Sequence, residues 1–336
     1  SPGCLNHWMI VPSVTLSPNC GILTMETMAL GMRALNYSSR IAFEEETDEE
    51  GQAEFPEKVF IGTLENIQVV PEPASSALAA LGWHRQDDTR VMVAPQCPSV
   101  AEPLGARGLI GLAQQYNLRG VEMPLASTLP DTEPATIDAL RATLEESNLT
   151  LLVDTGLVDV DAISALLPLA RRAGAGIVRT TLSNILEGAR ATIPGGWAAH
   201  QAENVRRVAA LRPALEQHDM RLALENHQDV TSDDLLELCE AGGPRVGVTF
   251  DVVNPLAVGE EPFIFARKLG DRIFNVHLKD YTIVPTESGY LLVRAALGEG
   301  VIDWAAMRAL LAEVAPDAPH HIELAALFAR HIRLFE

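Results

Sequence analysis

The sequence is poor in cysteine and in positive charge. Its 336 residues include four cysteines, Cys4, Cys20, Cys97 and Cys239, with no CxxC pair among them. This spacing suggests neither a zinc knuckle nor a disulfide framework, and it favours reduced thiols and a cytoplasmic location. Lysine and arginine total 25 against 45 acidic residues, which gives a formal net charge of −20. Because this balance repels phosphate backbones, we expect no nucleic-acid partner.

Long hydrophobic runs are also missing. No apolar run reaches the roughly 18 residues needed to span a bilayer, and no basic segment followed by an apolar one opens the chain. We therefore expect no membrane role. Hydrophobic residues still make up 47% of the chain, enough for the core of one large barrel-type domain or of two smaller domains.

From about residue 91 the sequence repeats a short apolar run, a polar turn and a segment of helical period. Five segments have the helical period, at 134–147, 160–174, 204–218, 232–242 and 303–314. The apolar runs are RVMVAP (90–95), GVEMPL (120–125), LTLLVDTG (149–156), GIVRTTL (176–182), RLALEN (221–226), RVGVTFD (245–251), RIFNVHLKD (272–280) and HHIELAA (320–326). Eight such runs over roughly 250 residues predict an α/β fold, a (β/α)₈ TIM barrel. A doubly wound open sheet is the structural alternative.

Residues before the repeating region have a different character. They contain the acidic run FEEETDEE (43–50), which is typical of a solvated loop. The stretch VVPEPASSALAALG (69–82) resembles the start of a bacterial PEP-type C-terminal sorting signal. We predict an irregular N-terminal extension over residues 1–88 and a barrel over 89–336. The extension is interpreted either as the remnant of a gene fusion or as a divergent segment packed on the barrel.

Polar side chains end four consecutive late strands of the predicted barrel, namely Glu225, Asp251, His277 and Glu323. The carboxyl ends of barrel strands form the active site of TIM barrels. Taken singly, each residue could be a solvated strand end or a hydrogen-bonded core histidine. Three crowded carboxylates, however, repel one another unless a cation lies among them. The combined set suits a divalent ion such as Mn²⁺, Mg²⁺, Co²⁺ or Zn²⁺.

Residues two positions apart on a strand share a face, which places His227 beside Glu225 and Lys279 beside His277. We predict His227 as a hydrogen-bond donor or general base near the substrate. The alternative is a structural role, as a cap of the helix at 231–241 or as a hydrogen-bond partner of a loop. Lys279 is predicted to polarise a substrate oxygen, with pairing to Asp280 or Glu323 as the alternative.

Three further charged residues end earlier strands. Arg179, in the fourth strand, is predicted to bind a hydroxyl, carboxylate or phosphate of the substrate, and Glu122 and Asp154 are predicted as further substrate-binding residues. For all three, a purely structural role is the alternative.

Several phrases of the sequence resemble one known family. They are ALENH (223–227), GVTFDVVNPLAVGEEP (247–262), NVHLKDY (275–281), LGEGVIDW (297–304) and HIELA (321–325). Over roughly residues 105–333 the chain is similar to the xylose-isomerase-like sugar isomerases and epimerases, which include ketose 3-epimerases, inosose dehydratases and related lyases. The resemblance implies that Glu225, Asp251, His277 and Glu323 bind one divalent metal ion, with Mn²⁺ favoured. Several relatives carry a histidine where this chain has Asn254, so the multi-zinc endonuclease branch is not favoured.

The sequence therefore predicts a metal-dependent sugar isomerase or epimerase. Glu225, Glu323 and His227 are its predicted catalytic residues, and its substrate is a small ketose or keto-polyol. The main alternative is a metal-dependent lyase of the inosose dehydratase or 3-oxo-glycoside deglycosylase type. A catalytically silent sugar-binding barrel is the alternative from another class. The sequence leaves room for a homo-oligomer.

Overall fold

The computed structural model describes residues 105–323 and 329–334, together with three strands nearer the N-terminus. Two of these, β1 (Val59–Thr63) and β2 (Asn66–Val70), pair antiparallel as a hairpin. The third, β3 (Val91–Val93), belongs to the barrel. The predicted boundary between residues 88 and 89 lies outside the described residues. The FEEETDEE run and all but two residues of the VVPEPASSALAALG stretch lie outside them as well.

Eight parallel strands close into one barrel, which confirms the predicted (β/α)₈ fold over the doubly wound sheet. After β3 they are β4 (Gly120–Met123), β5 (Thr150–Leu157), β6 (Ile177–Thr181), β7 (Arg221–Glu225), β8 (Val246–Asp251), β9 (Ile273–Leu278) and β12 (His320–Ile322). The last strand closes the barrel by pairing with β9 on one side and with β3 on the other. Every barrel strand coincides with one of the eight apolar runs of the sequence.

Helices cover the outside of the barrel. They are α1 (Ala106–Gln115), α2 (Leu125–Thr128), α3 (Pro134–Glu146), α4 (Val160–Arg172), α5 (Trp197–His218), α6 (Ser232–Gly242), α7 (Pro262–Leu269) and α8 (Trp304–Val314). Asp159 and Asp303 accept a hydrogen bond from a backbone N–H in the first turn of α4 and α8, which is why these helices begin there. None of the helices in the described part of the chain is long and apolar enough to cross a bilayer.

An apolar layer fills the bottom of the barrel. Leu152, Ile177 and Ala223 lie on three neighbouring strands and form a small buried cluster with Phe274, apart from the main core beneath the helices. The pairing of β8 with β9 shifts at Phe274, since Val248 pairs with Ile273 but Thr249 pairs with Asn275. This bulge accommodates one extra residue in β9. Side chains two residues further along each strand point the same way and form the next layer of the barrel interior. This next layer is polar.

A small antiparallel sheet extends from the barrel after β9. It consists of β10 (Asp280–Thr286), β11 (Gly289–Ala295) and β13 (Arg330–Arg333), in the order β10-β11-β13. The side chain of Asp280 accepts hydrogen bonds from the backbone N–H groups of Gly298 and Gly300, at 3.1 Å each, and from the indole of Trp304 at 2.8 Å. The NVHLKDY and LGEGVIDW phrases are therefore joined physically by one buried carboxylate.

Candidate metal centre

The structure brings the four predicted ligands together at the carboxyl end of the barrel. Glu225 and Asp251 are the last residues of β7 and β8, His277 lies near the end of β9, and Glu323 directly follows β12. All four are buried, and one donor atom from each lies within 4.8 Å of the others. Because protein ligands lie about 2.0–2.6 Å from a divalent cation, donors around one ion have separations of this size.

Three donor atoms of this group have no hydrogen-bond partner among the described residues. They are Nδ1 of His277, Oδ1 of Asp251 and Oε2 of Glu323. The His277 and Glu323 atoms lie only 2.8 Å apart, yet they are not aligned as a hydrogen bond. Leaving buried polar atoms unpaired costs about 1–3 kcal/mol each. A cation between them would satisfy all three, so this group fits a divalent metal ion.

One oxygen of each carboxylate in the group is held by a buried cationic side chain. Nη1 of Arg179 contacts Oε2 of Glu225, while Nζ of Lys279 contacts Oδ2 of Asp251 and lies 2.9 Å from Oε1 of Glu323. Oδ1 of Asp251 and Oε2 of Glu323, the atoms without partners, stay available. Lys279 thus pairs with Glu323, as one of the alternatives for it predicted, and it also pairs with Asp251.

The ring of His277 and the amide of Asn254 are also oriented by contacts with carboxylates of this region. Nε2 of His277 lies 3.1 Å from Oε2 of Glu122, so the other ring nitrogen, Nδ1, faces the carboxylate group. Asn254 donates to Oδ2 of Asp251 at 2.7 Å. The amide therefore orients a proposed ligand at a position where a histidine would offer a further metal donor.

Arg179, Glu122 and Asp154 form a buried ion-pair network. The guanidinium of Arg179 binds Oε1 of Glu122 through Nε at 2.7 Å and Oδ1 of Asp154 through Nη2 at 2.6 Å, in addition to its contact with Glu225. Each of its three nitrogens thus has a carboxylate partner. These contacts favour the structural alternative for the three residues, and their predicted contact with substrate stays a prediction.

His227 lies at the mouth of the barrel, half-buried, directly after β7. Its Nδ1 atom is buried and makes no hydrogen bond within the described part of the chain. Helix α6 is capped instead by Thr231 and Asp234, whose side chains and backbone N–H groups form a reciprocal capping box. The capping role considered for His227 is therefore taken by other residues, and its Nδ1 atom is left without a hydrogen bond in the described residues.

The charge of the centre is unbalanced. Burial raises the pKa of Asp251 well above its ordinary value in spite of Lys279, and it raises the pKa of Asp154 to about 7. Burial opposes the charged form of His277, but Glu122 and Glu323 raise its pKa well above the usual range. Five carboxylates face two permanently cationic side chains, Arg179 and Lys279, across the set Glu122, Asp154, Glu225, Asp251 and Glu323. With all five carboxylates ionised and His277 neutral, the forms that metal ligation requires, a divalent cation would offset two of the three excess negative charges.

Two buried polar residues near the centre escaped the sequence analysis. Nδ1 of His321 lies 2.7 Å from Oδ1 of Asn275, and burial lowers the pKa of His321 to about 4. The spacing of two that relates His227 to Glu225 also relates His321 to Glu323, so the signal was present. Asp229 accepts a hydrogen bond from the hydroxyl of Ser183, a contact between the loops after β7 and β6.

The loops around the barrel mouth are tied to one another. The backbone N–H of Gly188, in the loop after β6, donates to the carbonyl of Gln228 after β7 at 3.0 Å. The hydroxyl of Tyr290, in the hairpin after β9, donates to the carbonyl of Leu256 in the turn after β8. These contacts join the loops in two pairs, those after β6 and β7 and those after β8 and β9, and together these loops form a rim at the barrel mouth.

Comparisons with known proteins agree with this architecture. The 3-oxo-isoapionate decarboxylase of Pectobacterium atrosepticum is 23% identical over 214 residues, which are 62% of this chain and 73% of that protein. A xylose isomerase domain protein from Planctomyces limnophilus superposes with a TM-score of 0.54 at 20% identity, covering 70% of this chain and 88% of the other. A D-tagatose 3-epimerase-like protein superposes with a TM-score of 0.53 at 17% identity, covering 70% and 90%.

A sequence model of one family matches residues 110–325, more than half of the chain. That region contains seven of the eight barrel strands and all four residues of the candidate metal centre. The chain belongs to the xylose isomerase-like TIM barrel family.

Proposed function

We propose that the protein is a divalent-metal-dependent sugar isomerase or epimerase that removes a proton next to the carbonyl of a ketose or keto-polyol. The observation that carries the proposal is the buried group of Glu225, Asp251, His277 and Glu323, three of whose donor atoms lack hydrogen-bond partners in the described residues. Mn²⁺ is the favoured ion, with Mg²⁺, Co²⁺ and Zn²⁺ as alternatives. The name of one superposed structure, a D-tagatose 3-epimerase-like protein, supports this reaction class.

The bound ion would act as a Lewis acid toward a substrate carbonyl and an adjacent hydroxyl, which acidifies the neighbouring C–H bond. Glu225 and Glu323 lie on walls of the barrel separated by β8 and β9, and so flank the space between them. We assign them the transfer of protons on the two faces of the substrate. His227, with its unpartnered Nδ1, would donate a hydrogen bond to a substrate oxygen or act as a base.

A lyase reaction is the second candidate. It begins with the same proton removal. A substituent on the neighbouring carbon then departs, whereas in an epimerase a proton returns to the other face. The similarity to a protein named as a decarboxylase favours a lyase of another kind, in which loss of CO₂ rather than of a proton leaves the electron pair beside the carbonyl. A silent sugar-binding barrel, the candidate from another class, has no need to retain a stoichiometric ion.

Metal content tests the centre. The purified protein should contain about one divalent ion per chain, and Glu225→Ala, Asp251→Ala and His277→Ala should each lose it because a ligand is missing. Asp229→Asn is the matched control, since Asp229 is equally buried but stands outside the four-residue group. Elemental mass spectrometry makes the measurement. Full occupancy in all three ligand variants would remove the proposed site.

Solvent exchange tests the reaction. Ketoses, inososes and oxo-glycosides incubated with the enzyme in D₂O should gain deuterium at the carbon next to the carbonyl, as NMR would record. Epimers as products support the isomerase assignment, and eliminated fragments support the lyase. Turnover of a substrate with neither C–H exchange nor bond cleavage beside a carbonyl contradicts both.

A further inference from the structure

We propose that Glu122 is a positioning residue that turns Nδ1 of His277 toward the metal ion. The inference rests on the proposed function, because it needs His277 to be a ligand. Glu122 lies on β4 and His277 on β9, strands that are not neighbours in the barrel, so their contact crosses its interior. The two residues are 155 positions apart in the sequence.

The hydrogen-bond roles follow from the contacts of Glu122. Its Oε1 accepts from Nε of Arg179 at 2.7 Å, a charged pair that favours the ionised carboxylate. An ionised carboxylate accepts hydrogen bonds and donates none. Nε2 of His277, 3.1 Å from Oε2 of Glu122, therefore carries the hydrogen of that contact.

The other ring nitrogen is then the one with a lone pair. A histidine binds a metal ion as the neutral imidazole, in which one nitrogen donates and the other accepts, so a hydrogen on Nε2 leaves Nδ1 free once the ion has displaced the second proton. Nδ1 of His277 is the atom 2.8 Å from Oε2 of Glu323 and 3.7 Å from Oε1 of Glu225. Glu122 thus selects the tautomer and ring orientation that direct a donor into the four-residue group.

A second ion held by Glu122 itself is the competing interpretation, because Glu122, His277 and His321 also lie within 4.8 Å of one another. Nδ1 of His321 lies 2.7 Å from Oδ1 of Asn275, whose amide nitrogen donates to the hydroxyl of Thr249 at 3.2 Å. Nδ1 of His321 is therefore a donor, as is Nε2 of His277. Neither nitrogen beside Glu122 has a lone pair for a cation.

Arg179 extends the same arrangement. Its guanidinium holds Oε1 of Glu122 and, through a different nitrogen, Oε2 of Glu225. One buried cation thereby orients a carboxylate of the proposed metal group directly and the histidine through Glu122. The third partner of Arg179, Asp154, is a carboxylate of the same kind whose paired oxygen faces Arg179.

The experiment measures Co²⁺ affinity by competition with a chelator, together with the visible absorption of the bound Co²⁺. Glu122→Gln should weaken binding about 10- to 100-fold and alter the absorption bands, because partners behind metal ligands typically contribute that much. Glu122→Asp retains the charge but retracts the carboxylate by one methylene, and should weaken binding as well. Asp229→Asn changes an equally buried carboxylate that binds Ser183 and forms no ion pair with Arg179, and it should keep the affinity and spectrum of the parent.

The possible outcomes distinguish a failure of the proposed function from a failure of the role of Glu122. A parent protein that binds no Co²⁺ overturns the proposed function and this inference with it. One Co²⁺ per parent chain, with unchanged affinity and spectrum in Glu122→Gln or Glu122→Asp, overturns the role of Glu122 alone. Two ions in the parent and one in Glu122→Gln would show that Glu122 is a ligand. Circular dichroism and cooperative unfolding of the metal-free variants establish that they are folded. If only one of the two Glu122 variants folds, that variant is enough for the test.

Discussion

Single residues of the centre differ in how far sequence alone could place them. The rule that polar side chains at barrel strand ends converge was enough to select Glu225, Asp251, His277 and Glu323. The contacts of the residues around them could not be predicted in this way. Arg179 and Glu122 are 57 positions apart in the sequence, and no local pattern pairs them. Spacing placed Arg179, Glu122 and Asp154 at the same end of the barrel. Only the three-dimensional contacts show that they bind one another.

Replacement of His227 by alanine tests the catalytic role of its imidazole. Turnover should fall by about 10²–10⁴-fold, the usual contribution of a general acid or base, while the metal stays bound. Glu323→Gln should nearly abolish turnover, because a ligand and a proton carrier are lost together. Steady-state rates and metal content check both results. A His227→Ala enzyme as fast as the parent would make the histidine a structural residue.

The buried carboxyl of Asp154 should make stability depend on pH. Burial raises its folded pKa to about 7 from an ordinary value of 3.8. A raised folded pKa stabilises the protein below the unfolded value, and this contribution disappears as pH rises through the folded value. One pKa unit corresponds to about 1.4 kcal/mol, so the difference amounts to a few kcal/mol.

Asp154→Asn removes this dependence. With metal chelated, the variant should gain stability relative to the parent as the pH increases from 5.5 to 8.5, as denaturant unfolding would measure. A constant difference between the two proteins over this range would show that Asp154 titrates outside it.

Among the secondary-structure elements, the eight barrel strands were predictable because each is a continuous apolar run between polar turns. Helices α1 (Ala106–Gln115) and α7 (Pro262–Leu269) were not identified. They are short, and α1 contains two glycines, Gly108 and Gly111, that weaken its helical signal. The hairpin of β10 and β11 was also missed. Its alternating residues on both sides of a turn with Gly289 are typical of a hairpin, but its strands do not belong to the repeating pattern of the barrel.

Gly247 on β8 should be intolerant of a side chain. A Cβ atom there would lie 2.4 Å from the carbonyl oxygen of Arg272 and 2.5 Å from the ring of Phe274. Gly247→Ala should therefore destabilise the protein by about 1–3 kcal/mol, the usual cost of overpacking. Gly111→Ala in α1 is the matched control, because nothing lies within 4 Å of its Cβ position. It should stabilise the protein by about 0.5–1 kcal/mol. Thermal unfolding of both variants makes the comparison, and equal shifts would refute the packing argument.

For the molecule as a whole, the predicted division into an extension and a barrel can be tested by truncation. Deleting residues 1–85 removes the hairpin of β1 and β2 but leaves β3 (Val91–Val93), and with it all eight barrel strands. The shortened protein should stay folded, unfold cooperatively and retain its metal ion. Calorimetry and elemental analysis provide the measurement. An insoluble product, or unfolding without a cooperative transition, would show that the first residues belong to the core.

The strands of the barrel carry the residues of the centre, while the loops form the rim, and this separation has an evolutionary consequence. The residues of the centre and those that hold them come from β4, β6, β7, β8, β9 and the end of β12. The rim is built by separate loops joined by backbone and side-chain hydrogen bonds, as at Gln228, Leu256 and Asp229. Apart from Asn254, which donates to Asp251, substitutions in those loops leave the four residues of the centre and their ion-pair partners in place. A lineage built on this barrel can therefore vary the residues at the rim while inheriting the same buried group of charged side chains below it.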